Sequence, residues 1–271
     1  MPVGKLLRQG LAFANVVANG VATAMITPGR TIEGLLLVMG GTTFSSAHVS
    51  MIRVKANSKV IWEASGAEAD KLAKFHGHSY PATIIPVMFV EVFGRDLLDE
   101  MLGAFDTSQG VNSLAIEVTI AGATAPTLDL YLIESQPQPD KVNQKLSKVL
   151  RVPWNISSGG KLQVQIPYGN TGTIIKRLHI QHGVANNITA VSVKEDAVLS
   201  HESVKAVNDA FNQFMRSTIQ TNVYTVDFMA DENVRNCMDT RKDRSLELLL
   251  TCGAADSGTI LVECLDELEN L

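Results

Sequence analysis

Apolar and polar residues alternate with period two in many short runs, the pattern of strands that bury one face. Residues 21–26, 49–54, 87–93, 114–120 and 128–133 carry it in the first half of the chain. Pro28-Gly29, Gly40-Gly41, Asn57-Ser58 and Gly122-Ala123 punctuate these runs as turns. Two helical patches interrupt them. Ser65-Gly66-Ala67-Glu68 has the spacing of a capping box, in which the serine and glutamate side chains satisfy free amides of the first turn, and it opens a helix to about Phe75. Leu97, Leu98, Met101, Leu102 and Phe105 recur at helical spacing after Gly94.

Gln136-Pro137-Gln138-Pro139 ends this pattern, because two prolines so close cannot sit in a central strand. The expected organisation is a first domain over 1–139 with an arm at 1–20, a polar linker over 140–150 containing at most a turn of helix, and a second domain over 151–271. After Arg151 the strand pattern resumes at 162–166, 174–180, 188–193, 223–228, 246–252 and 259–264. A helix with Val204, Val207, Phe211 and Phe214 on one face is expected before residue 223, and a short apolar helix at Val234, Cys237 and Met238.

The two halves repeat the same order of elements. Residues 25–29 answer 165–169, 51–55 answer 190–194, and the helix ending near Phe75 answers that ending near Phe214. Residues 88–93 answer 224–229, 114–118 answer 246–250, and 128–132 answer 259–263. The offset drifts from about 140 to about 131, as changes in loop length produce. Each half is long enough for about seven or eight short strands, and most connections are too short for the crossover helices of a parallel α/β sheet. The expected fold is all-β: two tandem jelly-roll sandwiches, each with one or two short helices in its loops.

Composition narrows the function. A chain of 271 residues with 45 % hydrophobic and 19 % charged residues can bury a full core without a disulfide or metal. The net charge of −5 lacks the basic excess of a nucleic-acid or anionic-membrane binder. Cys237, Cys252 and Cys264 show no C-x-x-C spacing and are expected as buried thilos of a protein made in a reducing cytoplasm. Lys5 and Arg8 precede an apolar run from Leu11, and Ala22-Thr23-Ala24 offers small residues for cleavage, but Asn15, Asn19 and Gly20 break the run. A short arm is expected there rather than a cleaved leader.

Chemical motifs are sparse. His76-Gly77-His78 suggests the H-x-H of metal-binding cupin barrels, yet the next carboxylate is Glu91, too distant for that pattern, so a polar loop is expected. His179, His182 and His201 have no nucleophile or carboxylate beside them in sequence. The acidic residues Glu263, Asp266, Glu267 and Glu269 are expected to form a solvated terminus, and Trp62 and Trp154 to pack in a core or interface. No G-x-S-x-G or P-loop pattern occurs. No residue is assigned a catalytic, cofactor or metal role, and no enzyme activity is expected.

Val223-Tyr224-Thr225-Val226-Asp227-Phe228-Met229, a charged helix, Leu246-Glu247-Leu248 and Ile260-Leu261-Val262-Glu263 resemble the C-terminal barrel of the corticovirus major capsid protein family, of the tectivirus and adenovirus lineage. Residues 15–20, 32–37 and 50–54 with the following helix are similar to its N-terminal half, while 79–140 match only in pattern. The resemblance implies two upright jelly rolls per chain, each with a helix after its fifth strand. It implies a bacteriophage-type virion protein made in host cytoplasm. The chains would form homotrimers of pseudo-hexagonal outline that tile an icosahedral shell over an internal lipid membrane, beside penton and minor membrane-associated proteins. Nucleic acid would not be contacted, and the family leaves room for structural calcium between trimers. The N-terminal segment 3–13 would face the membrane or a neighbouring trimer. The competing readings are a carbohydrate-binding β-sandwich, which the 6 % aromatic content disfavours, and a bicupin-like metalloenzyme.

Overall fold

The computed structural model describes residues 4–94, 100–137, 145–166, 173–242, 245–268 and 270. It holds two compact units, the first made of residues before Phe75 and of His78–Lys148, the second of Phe75–Gly77 and Val149–Asp266.

In the first unit β1 (Leu6–Gln9), β2 (Val21–Met25), β3 (Thr31–Gly40), β4 (Val49–Ala56) and β5 (Lys59–Ala64) lead into α1 (Gly66–Phe75). β6 (Ile84–Met88), β7 (Phe105–Asp106), β8 (Leu114–Ile120) and β9 (Thr127–Ser135) follow. One sheet runs β1-β9-β3-β6 with β7 also on β3, and the other runs β2-β8-β4-β5. Alternation does the work: Leu35 and Leu37 on β3, Ile52 and Val54 on β4, and Ile116 and Val118 on β8 all point inward and are fully buried.

The second unit repeats this plan. β10 (Lys145–Ile156), β11 (Gly160–Val164), β12 (Ile174–His182), β13 (Ile188–Glu195) and β14 (Val198–Val204) lead into α2 (Lys205–Phe214). β15 (Val223–Asp227), β16 (Met238–Asp239), β17 (Leu246–Cys252) and β18 (Asp256–Glu267) complete it. The orders are β10-β18-β12-β15 with β16 on β12, and β11-β17-β13-β14. These match the first unit strand for strand, and in both units the helix follows the fifth strand. The core between the sheets includes Leu178, Ile180, Val191, Val193, Tyr224, Val226, Leu248, Leu250, Ile260 and Val262.

The repeat extends to irregularities. Ser50 bulges out between Val49 and Met51 opposite β8, and Thr189 does so between Ile188 and Ala190 opposite β17. Each bulged hydroxyl donates to a carbonyl of the facing strand, Ser50 to Thr119 and Thr189 to Thr251, both at 3.2 Å. The β4–β5 hairpin turns through Asn57 and Ser58 and the β13–β14 hairpin through Asp196 and Ala197, all four at positive φ, the backbone a tight two-residue hairpin needs. β3 bulges at Glu33 opposite β9, and β12 at Lys176 opposite β18. One loop bulge can arise by chance, but bulges are family-stable features, and their recurrence in one order supports duplication.

Several expectations change. The strand read at 87–93 lies earlier, at β6, and pairs with β3 so that Leu36 faces Pro86. Pro86 lacks an amide to donate, which the edge position of β6 tolerates and which hid the strand from a propensity reading. β6, not 88–93, therefore answers β15. The β9–β18 correspondence also slips by one residue: Leu130 faces Leu37, and Ile260 faces Ile180. Leu97 and Leu98 lie outside the described residues, and Phe105 is in β7, paired with Ile32, rather than on a helix. Inside the segment read as an arm, Leu6–Gln9 is β1, fixed to β9 by its ladder and by Arg8, which binds Glu134 through two hydrogen bonds of 2.7 and 3.0 Å. Within the segment read as linker, β10 begins at Lys145; residues 138–144 lie outside the described set. The apolar helix expected at residue 234 is a single 3-10 turn, Val234–Asn236, before β16. The Ser65–Glu68 capping box forms as read, with bonds of 2.7 and 3.2 Å.

Candidate functional site

Two features of the second unit stand apart from ordinary core. The first is a row of charges across three neighbouring strands. Arg177 on β12 faces Asp227 on β15 and Glu263 on β18 in register. Its Nε lies 3.0 Å from Asp227 Oδ1 and its Nη1 3.2 Å from Glu263 Oε2, all three side chains being buried. His76, just after α1, places Nε2 2.9 Å from Glu263 Oε1. His179 Nε2 is 3.7 Å from Glu263 Oε2, and its Nδ1 is 3.0 Å from Thr225 Oγ1. The Phe75 ring meets His179 edge-on at 5.0 Å between centroids.

Burial by itself would raise the Glu263 carboxyl, but His76 and His179 outweigh it and hold that group well below the usual carboxylate range. Such a group stabilises the fold fully above its unfolded pKa, about 4.3, and loses that contribution as pH falls through its lower folded value. Acid titration of the wild type followed by circular dichroism should therefore show stability falling with pH below about 4. In Glu263→Gln that part of the slope should be smaller, whatever the offset in baseline; equal slopes would refute the assignment.

His76, His179 and Glu263 gather one ligand atom each within 4.8 Å, a donor set of the kind that binds zinc. Both Glu263 oxygens are already engaged, however, Oε1 by His76 and Oε2 by Arg177. A divalent ion would compete with the guanidinium for the same carboxylate, so the cluster fits a charge-compensated network better than a metal centre. His76 and His78 part company: His78 stacks on Phe93 at 5.5 Å. His182 Nδ1 lies 2.7 Å from the Val184 carbonyl, and His201 lies 3.3 Å from the Tyr224 hydroxyl. The acidic tail departs from its expectation: Glu263 and Asp266 are buried, and Asn270 donates to Asp266 at 2.7 Å. Glu269 lies outside the described residues. Trp62 and Trp154 are core residues, and all three cysteines are buried thiols.

The second feature is α2, which turns its polar side inward. Asn208 and Asn212, both buried, donate to the Thr225 carbonyl at 2.8 and 3.0 Å. Among the described residues β15 is an edge strand, and these amides occupy a carbonyl that no further strand there reaches. The apolar stripe of Val204, Val207, Phe211 and Phe214 consequently faces outward, with Phe214 84 % exposed. Val198 and Leu199 on β14 are exposed as well. Hydrophobic periodicity located this helix and its apolar stripe but did not say which side is buried. The asparagines at helical spacing were the available signal.

The chain matches two family models, the viral coat protein P2 N-terminal domain over residues 7–133 and the viral coat protein P2 C-terminal domain over residues 146–268. No curated protein sequence matches it. Its fold is that of the major capsid protein P2 of bacteriophage PM2, with a TM-score of 0.86 at 18 % identity, over 99 % of this chain and 100 % of that one. A structure of Sulfolobus Turreted Icosahedral Virus matches with a TM-score of 0.71 at 13 % identity, over 96 % and 90 % of the two chains. The PBCV-1 virus capsid matches with 0.68 at 8 %, over 100 % and 97 %. With both P2 domains present in tandem, in order and over nearly its whole length, the chain belongs to the viral coat protein P2 family.

Proposed function

We propose that this viral coat protein works as a homotrimer of pseudo-hexagonal outline that tiles an icosahedral capsid over an internal membrane. The observation that carries the reading is the strand-for-strand duplication. Two alike sandwiches in each of three chains present six similar walls, which a near-hexagonal lattice can pack. As a coat protein its task is assembly in the virion rather than catalysis. The net charge of −5 suits a shell held off its genome by lipid, since DNA contact favours a basic surface. Penton and minor membrane-associated proteins are the further partners, and calcium between trimers remains part of the proposal. Among the described residues no helix is long and apolar enough to cross a membrane. Leu6 and Leu11 are exposed near the N-terminus and are apolar groups that the proposed membrane contact could use.

Sedimentation of the purified protein should give a trimer, and negative-stain images should show hexagonal particles about 70–80 Å across, the scale of six packed barrels. A monomer at micromolar concentration would overturn the trimer reading.

A further inference from the structure

We propose that the exposed apolar end of α2 docks on the outer face of the β1-β9-β3-β6 sheet in the first unit of a second copy, head to tail, and so closes the ring of chains. This rests on the homotrimer reading and names the residues that would make its contact.

The argument comes from the internal repeat. β4 and β13, α1 and α2, and β6 and β15 begin at Val49 and Ile188, Gly66 and Lys205, and Ile84 and Val223, one constant offset. At that offset Phe75 corresponds to Phe214. Both residues end their helices, and two positions on Gly77 and Arg216 both take positive φ, 76° and 71°. The chain leaves the two helices in the same way, yet the phenylalanines meet opposite fates. Phe75 is 2 % exposed and belongs to the second unit, where it lies against His179 on the outer face of the β10-β18-β12-β15 sheet. Phe214 is exposed and, among the described residues, lies on no such face of its own chain.

The matching face also exists twice. His179 faces Thr225 and Leu261 across its neighbours, and Leu36 faces Pro86 and Tyr131. Leu36 is therefore the counterpart of His179. Around His179 the outer face is closed, with Arg177, Thr225 and Leu261 all buried. Around Leu36 it is more open: Leu36, Tyr131, Ile133 and Met88 are half-buried and Leu7 is 62 % exposed, although Pro86 beside Leu36 is buried. Each chain thus carries one helix end without a sheet and one sheet face without a helix end. The face that stays open is also the apolar one. In place of the Asp227–Arg177–Glu263 row it has Met88, Gly34 and Ile133, chemistry suited to Phe214, Phe211 and Val207. A plug and socket on different parts of one chain make a heterologous contact, which forms a closed ring when the rotation fits.

The test places the photo-crosslinker p-benzoylphenylalanine at Phe214 in the full-length protein, with sedimentation before irradiation. Crosslinked dimers should be joined from residue 214 to peptides containing residues 35–38, 84–88 or 130–133. Crosslinks to another region, or only within one chain, would overturn the proposal. In parallel, Val207→Asp with Phe214→Asp should sediment as a monomer with a wild-type circular dichroism spectrum. A trimeric wild type whose double variant is also trimeric refutes this contact and leaves the trimer standing. A monomeric wild type refutes the trimer itself.

Discussion

Replacing Arg177 by methionine should destabilise the protein by about 3–5 kcal/mol, because it removes the guanidinium that two buried carboxylates share and leaves Glu263 to His76 and His179 and Asp227 to the Met229 amide. That is a large part of the 5–15 kcal/mol that ordinarily separates folded from unfolded domains, so urea denaturation should show a clearly lowered midpoint. The loss measures the broken network and not the worth of the intact one. Bringing three charges out of water is costly, and an apolar replacement of a whole buried ion group often does as well. The first unit supplies the comparison within the same chain: its equivalent row is Met88, Gly34 and Ile133, with the Met88 thioether filling the space a Cβ on Gly34 would enter. Copying that row into the second unit as Arg177→Gly, Asp227→Met and Glu263→Ile should recover part of what Arg177→Met loses. A triple variant less stable than the single one would show that the charges stabilise the sheet by themselves.

The architecture was legible because it rests on alternation. Leu246, Leu248 and Leu250 on β17 and Leu114, Ile116 and Val118 on β8 announce their inward faces residue by residue, and duplication lets each half check the other. Strands without that contrast were lost. β6 contains a proline, and β1 is only four residues long. β10 starts amid polar residues read as a linker. β18 was found at 259–264, but its residues from Thr259 to Asp266 are all buried, so no exposed face marked the period and its match to β9 slipped by one residue. The polar cluster was beyond sequence reasoning for a different cause. His76, His179 and Glu263 come from a helix end and two strands, and only the folded register brings them together. α2 shows the limit of amphipathicity: a stripe of Val207, Phe211 and Phe214 predicts which face is buried, but in a protein that assembles the burial can be supplied by another chain.

That distinction gives unequal outcomes for one substitution at two equivalent positions. Phe75→Ala removes a fully packed ring and leaves a cavity beside His179, a change that typically costs about 3–5 kcal/mol. In a unit of this size the melting temperature should fall by about 10 °C or more. Phe214→Ala removes the same atoms from a side chain that is mostly in water, so the folded protomer should keep its stability within about 0.5 kcal/mol. The comparison has to be made at nanomolar concentration, because association adds to apparent stability by mass action. There the denaturation midpoint should drop for Phe75→Ala and stay for Phe214→Ala. At micromolar concentration the second variant should lose association while its fold persists. If both variants lost stability equally in dilute solution, Phe214 would be buried within its own chain, and the outward face of α2 could not be the surface that waits for a neighbour.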